Sequence, residues 1–123
     1  MAGNSKNALT PFHVINAQSM GASITGSPTN IQYLDNCSIQ LNFTGTPTGS
    51  FSIQGSLDHA ANALTGVEQT AGNWIEFTGA SATGAANNIL IDLNQLSFPW
   101  IRIVYTRVSG TGTLDAYISA KAV

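Results

Sequence analysis

Charge is what this sequence lacks most. Asp, Glu, Lys and Arg make up only 8% of its 123 residues, against about 25% in an ordinary soluble domain. The four cations are Lys6, Arg102, Arg107 and Lys121, and with six acids they leave a net charge of −2. So thin a positive set offers no footprint for a phosphate backbone or an anionic lipid surface, so neither nucleic acid nor a membrane is expected as a partner. Nor does any stretch reach the ~18 consecutive apolar residues that a membrane helix needs. The opening segment MAGNSKNALTPFHVINAQSM has no continuous apolar run of the kind a secretory signal carries, so synthesis in the cytoplasm is expected. One cysteine, Cys37, allows no internal disulfide, and its place before the alternating SIQLNF predicts a buried free thiol. With only His13 and His59 beside it, no tetrahedral nitrogen and sulfur set for zinc can be assembled locally.

What replaces the missing charge is Ser, Thr, Asn and Gly, while the hydrophobic share stays at an ordinary 43%. Enough apolar and β-branched residues therefore remain to build a core, which disfavours disorder. A chain of this length is one domain and buries roughly two-thirds of its unfolded surface. Charges keep monomers apart and blunt sheet edges, so a domain that omits them is expected to have much of its surface covered by partners.

Period-two alternation recurs along the chain between clusters of Gly, Pro, Ser and Asn, and no convincing helical period appears. Strands are predicted at residues 10–18, 23–33, 37–44, 49–57, 73–77, 88–93, 100–108 and 113–121. The fold class expected is all-β: a single-domain antiparallel β-sandwich, jelly-roll-like, of about eight strands over residues 1–123, with 1–9 as a flexible N-terminal arm. In the third strand Ile39, Leu41 and Phe43 share one face and Ser38, Gln40 and Asn42 the other. GTPTG after it predicts a hairpin with the fourth strand, which carries Phe51, Ile53 and Leu57. In the seventh strand Ile101, Ile103 and Tyr105 are backed by Trp100 and Val104, a pattern that predicts cover on both sides. SGTG then predicts a reversal into the last strand, making this hairpin the centre of the sandwich. Residues 58–72 and 79–88 read as two long loops, the first with room for a short helix, and ordered loops of that length are often functional.

A nucleophilic triad would need Ser56, Asp58 and His59 to converge. No G-x-S-x-G elbow accompanies them, and neighbours on a strand point to opposite faces, so no catalytic residues are assigned. Asp58, Asn62 and Glu68 evoke an oxygen-ligand loop, but Ala63 and Gln69 stand where a calcium loop wants Gly and Glu, so no metal site and no cofactor are assigned. Glu76 and Asp92 are expected to pair with Arg102 or Arg107 rather than to act as a glycosidase couple. Trp74 and Trp100 read first as core residues. The candidate binding residues are Trp74, Tyr33 and Tyr117 as a platform for a sugar face, with Asp58 and His59 in the adjoining loop.

GSFSIQGSLD (Gly49 to Asp58), NWI (Asn73 to Ile75) and ILIDLNQLSFPWIRIVYTRVSGTGTLDAYISAKA (Ile89 to Ala122) together resemble small virion-associated β-sandwich proteins of tailed bacteriophages. In those proteins a SxQGSxD…W hairpin precedes a DLxQLPFxxIRVxYTxxSGTGTL ending. The likeness spans about the last two-thirds of the chain. It departs in the longer stretch between Asp58 and Trp74 and in Ser97, where Pro is common. The resemblance implies a non-enzymatic part of the virion: a capsid decoration or cement protein, or another head or tail component. Its implied partners are the major capsid protein or other virion proteins, together with other copies of itself. A trimer is expected by analogy with three-fold lattice positions. The chain is also broadly similar to discoidin-type galactose-binding sandwiches, which implies the alternative of a host-surface glycan or receptor module.

Overall fold

The computed structural model describes residues 8–122 apart from Tyr33 and Ala63. The expected arm falls largely on residues 1–7, outside the described residues, and Ala8 and Leu9 already belong to the first strand. Eleven strands run through the described residues: β1 (Ala8–Ser19), β2 (Ile24–Thr25), β3 (Thr29–Asn30), β4 (Asn36–Phe43), β5 (Thr48–Ser56), β6 (Ala60–Ala61), β7 (Glu68–Thr70), β8 (Ile75–Thr83), β9 (Asn87–Leu93), β10 (Trp100–Ser109) and β11 (Thr113–Lys121). They form one sheet in the order β1-β11-β4-β9 and a second in the order β2-β10-β5-β8, with β3 also on β10 and β6-β7 as a separate ribbon. Every pairing is antiparallel. The fold is therefore an all-β sandwich with jelly-roll connectivity, in which the long strands mostly alternate between the two layers.

That alternation corrects both expected hairpins. β4 lies between β11 and β9 while β5 lies between β10 and β8, so GTPTG carries the chain from one sheet to the other. SGTG does the same between β10 and β11, each an inner strand of its own sheet. The two arches instead pair with each other: Thr44 N–H donates to the Thr113 carbonyl (3.0 Å) and Thr46 N–H to the Thr111 carbonyl (2.9 Å). Gly45 and Gly110 hold φ of 79° and 77° there, and a side chain on Gly110 would strike the Thr46 carbonyl.

The core is the inward half of the alternation. Ile39, Leu41 and Phe43 of β4 and Leu114, Ala116 and Ile118 of β11 face Phe51 and Ile53 of β5 and Ile101, Ile103 and Tyr105 of β10, all buried. Phe43 reaches across the layers to Phe51 (centroids 5.4 Å apart), and Phe51 packs on its strand partner Tyr105 (5.1 Å). Cys37 is buried and free, as expected, and burial pushes its thiol up to about 12.

Four further expectations change. The outward residues of β10, Trp100, Arg102 and Val104, are half-buried, because no third layer of described residues lies over that face. The expected strand over residues 23–33 is two short bridges on β10, broken at Gly26, whose backbone N–H donates to the Ile103 carbonyl (2.7 Å). The expected loop at residues 79–88 is mostly strand, since β8 continues through Gly79, Ala80 and Ala82 to Thr83 beside β5. Among the described residues of 58–72 no helix forms, and the β6-β7 ribbon takes its place.

Candidate functional site: two clefts around a clamped ribbon

The connection from β5 to β8 returns to the same sheet, and the ribbon hangs from it. Asp58 ties the ends of this excursion together. Asn73 donates to it twice, from its backbone N–H to Oδ1 and from Nδ2 to Oδ2, both at 2.7 Å, and Ser56 Oγ donates to Oδ1 (3.0 Å). These bonds, led by the Asn73 backbone N–H, hold the Asp58 carboxyl below the usual carboxylate range. The His59 backbone N–H donates in turn to Ser56 Oγ (3.1 Å). The Ser56 hydroxyl is thus engaged with the Asp58 carboxylate and the His59 backbone, not with the imidazole.

His59 is buried, and its ring sits between the two tryptophans, 4.6 Å from Trp100 in an edge-on contact and 5.2 Å from Trp74. Nδ1 lies 3.1 Å from the Ala71 carbonyl. A carbonyl can only accept, so this nitrogen carries a proton. Trp74 Nε1–H donates to the same carbonyl (3.0 Å). The face of Trp74 is covered by the Arg102 guanidinium, 4.4 Å from the ring centroid, while Arg102 Nε donates to Gln54 Oε1 (2.8 Å). Burial lowers the pKa of Arg102, opposed by the field of Glu68. Both tryptophans are therefore half-buried outer-face residues rather than members of the inter-sheet core.

Two clefts flank this clamp. The first, of about 490 Å³, opens at the end of the sandwich and is lined by Gly55, Leu57, Ile75, Phe77 and Phe98, with Asp58 and Glu76 at its rim. Phe98 lies flat on Gly55, where a side chain would meet the ring at 2.7 Å, and Phe77 contacts Phe98 edge-on at 5.7 Å. Leu57, Ile75 and Phe77 are 77%, 72% and 52% exposed, on or beside the edge strand β8. The second cleft, of about 440 Å³, lies under the ribbon against β3 and the start of β10, and Asn30, His59, Asn62, Glu68 and Trp100 line it.

Of the residues expected to form a sugar platform, Trp74 and Tyr117 are not brought together. Tyr117 lies on the outer face of the β1-β11-β4-β9 sheet, stacked on His13 (4.3 Å, 9°), whereas Trp74 lies by the opposite sheet. His13 Nε2 and the Ala17 N–H both meet Asp115 Oδ1, at 2.7 and 2.9 Å, and those bonds lower the pKa of Asp115. Tyr33 lies outside the described residues. Asp58 and His59 do come together, as the clamp and the aromatic floor. Gln54 stands between Arg102 and Glu76 in register, and Arg107 Nε donates to the Gly110 carbonyl (2.9 Å), so neither expected carboxylate pairing organises the sheet. Asp92 accepts from Ser38 Oγ (2.8 Å) on the other sheet. Among the described residues no three His, Cys, Asp or Glu side chains are grouped to hold a metal ion. Ile75, Phe77 and Phe98 were not singled out by sequence, and Glu68 was weighed only as a metal ligand. The available signal was Ile75 and Phe77 flanking Glu76 in a segment otherwise rich in Gly, Ala and Ser.

No family model matches the chain, and no curated protein matches it in sequence. Among solved structures it is similar to the SPBc2 prophage-derived protein YomS, with a TM-score of 0.57 at 9% identity over 94% of this chain and 96% of that one. It is also similar to a chain in the structure of infectious bursal disease virus Gx strain, with a TM-score of 0.51 at 13% identity, where 97% of this chain covers only 32% of the other. A protein of the Bacillus endospore appendages, described as a novel family of disulfide-linked pili, aligns over 100% of this chain and 96% of that one at 13% identity and a TM-score of 0.47. At these identities what is shared is the fold.

Proposed function

We propose that the protein is a non-enzymatic structural component of a tailed-phage virion, a decoration, cement or other head-associated jelly roll that self-associates and holds to the capsid lattice through uncharged surface. The observation that carries this reading is the apolar flank at the β8 edge. Leu57, Ile75 and Phe77 stand exposed around an apolar cleft, on a sheet edge, in a chain with only 8% charged residues. An open edge with apolar side chains is a surface that natural monomers blunt with charge. Burying three such side chains contributes about 1.5–3 kcal/mol each, before the cost of association is subtracted. The sequence resemblance to phage virion proteins supports the same reading, as does the fold shared with a prophage-derived protein of nearly the same span.

Light scattering after size exclusion, run from micromolar to about millimolar protein, tests it. The expected result is an oligomer that survives about 1 M NaCl, because screening touches charge pairs and not apolar burial. Phe77→Glu should dissociate it while leaving the β-sheet circular dichroism unchanged, and should abolish cosedimentation with phage heads. A monomer at every concentration that also ignores the heads would overturn the reading.

A further inference from the structure

The structure assigns a binding site for a neutral pyranose ring to the second cleft, between the ribbon and the start of β10; this goes beyond the structural role proposed above and does not depend on it. A pyranose has a C–H face that packs on an aromatic ring and hydroxyls that each want both a donor and an acceptor. The cleft presents that combination. Trp100 supplies a half-buried indole, held edge-on by His59, which is itself only 6% exposed. Asn62 Oδ1 accepts from the N–H groups of Leu64 and Thr65 (2.8 and 2.9 Å), and Asn30 Oδ1 accepts from the Gln32 N–H (2.8 Å). Each amide oxygen is thereby engaged in its own turn, and each NH₂ remains as a two-proton donor. Glu68 adds the acceptor, its carboxylate 3.8 Å from His59 Nδ1 and its side chain 59% exposed.

Charge narrows the class. Glu68 is the one acid and no Lys or Arg lines the cleft, so sialylated, uronic or phosphorylated sugars would meet a like charge with no lining cation to receive their own. The volume of about 440 Å³ lies in the range of small-ligand sites. The Asp58 to Asn73 clamp fixes the ribbon over Trp100 before any ligand arrives, which reduces the ordering cost of binding. Trp74 faces Arg102 and is no part of this surface.

The test is titration of ¹⁵N-labelled protein with methyl glucoside, methyl galactoside, methyl mannoside and N-acetylglucosamine. A ring of about a dozen heavy atoms at ordinary ligand efficiency binds in the millimolar range, so the titration runs to roughly 50 mM. At least one sugar should shift the Trp100 indole N–H together with the amides of His59, Asn62, Gly66 and Glu68. Glu68→Ala should weaken that binding about five-fold or more, and Leu64→Ser, on the same ribbon but 96% exposed, should leave it unchanged. Both variants report their own fold through the same spectrum. The proposal is overturned by an unmoved Trp100 resonance with all four sugars, by shifts confined to another surface, by a Glu68→Ala variant that binds as well as the parent, or by tetramethylammonium binding where the sugars do not.

Discussion

Tyr105 is fully buried at the centre of β10, and among the described residues its hydroxyl is the one buried side-chain polar atom with no hydrogen-bond partner. Its neighbours explain why. The ring packs on Phe51, and the hydroxyl lies over Gly49, where a Cβ would stand 2.8 Å from the oxygen and would also strike the Thr106 carbonyl. Gly49 makes room for the phenol but offers it no partner. Burying a hydroxyl without a compensating bond costs about 1–3 kcal/mol by protein mutational measures. Deleting the oxygen leaves a small void, which gives back a few tenths of a kcal/mol at about 24 cal/mol per Å³. Tyr105→Phe should therefore stabilise the protein by about 1 kcal/mol, seen as a higher urea midpoint at unchanged slope and a Tm raised by roughly 3–6 °C. Tyr105→Leu, which also forfeits the aromatic contact with Phe51, should lower the midpoint.

The same substitution has a signature in pH. Burial raises the Tyr105 phenol above its ordinary value, so the folded chain keeps a proton that the unfolded chain releases. Stability from this group is complete below the unfolded pKa of about 10 and falls as pH climbs through it. Tyr105→Phe should flatten that limb of the stability curve. A Phe variant that loses more than about 0.5 kcal/mol at neutral pH would mean that the hydroxyl is satisfied in solution, and the reasoning would fail.

Two further tests follow from the titrating groups. Cys37, raised to about 12 from 9.0, contributes an earlier alkaline loss that begins near pH 9, so Cys37→Ala should remove that step and leave the Tyr105 step in place; the native thiol should also react with a disulfide reagent only as fast as the fold opens. Asp58 is shifted the other way, so its clamp is complete above the unfolded carboxylate pKa of about 4 and weakens as pH falls below it. Hydrogen exchange should show residues 60–72 losing protection on acidification before the core strands do, and Asp58→Asn should show that loss already at pH 7. Equal protection in the variant would refute the clamp.

The strands that could be read from sequence are those whose own side chains supply the core. β4 and β10 carry runs of Ile, Leu, Phe or Tyr at alternate positions, β11 alternates Leu114 and Ile118 with Ala116 and Ala120, and all three were placed within a residue or two. β8 was cut short because its second half supplies almost no bulk. Ala80 lies opposite Phe51 and Ala82 opposite Gly49, so β5 and the facing sheet fill the space that β8 leaves. A strand of small residues reads as a loop when only its own periodicity is consulted. The platform of Trp74 and Tyr117 failed for a related reason. Outward-facing residues carry no local mark of which sheet they lie against, and here Tyr117 is on β11 while Trp74, just ahead of β8, lies by the opposite sheet.

The arches show where that limit lies, and they also say why the clefts are where they are. GTPTG and SGTG have the Gly and Pro content of tight hairpins, yet each crosses between layers. What distinguishes the two outcomes is the partner of the turn's backbone groups, and here that partner is the other arch, nearly seventy residues away, through Thr44 to Thr113 and Thr46 to Thr111. Turns locked to one another in this way cannot lengthen without stranding those donors and acceptors. The step from β5 to β8 is different, because both strands already pair in one sheet and the connection owes no bonds to an arch. An excursion can be added there at little more than the entropy of the longer loop, about 0.6 kcal/mol for each doubling. It is there that the ribbon hangs, that Asp58 closes it onto Asn73, and that both clefts open. Both candidate clefts of this chain have collected at the one long connection within a single sheet that the jelly roll leaves free.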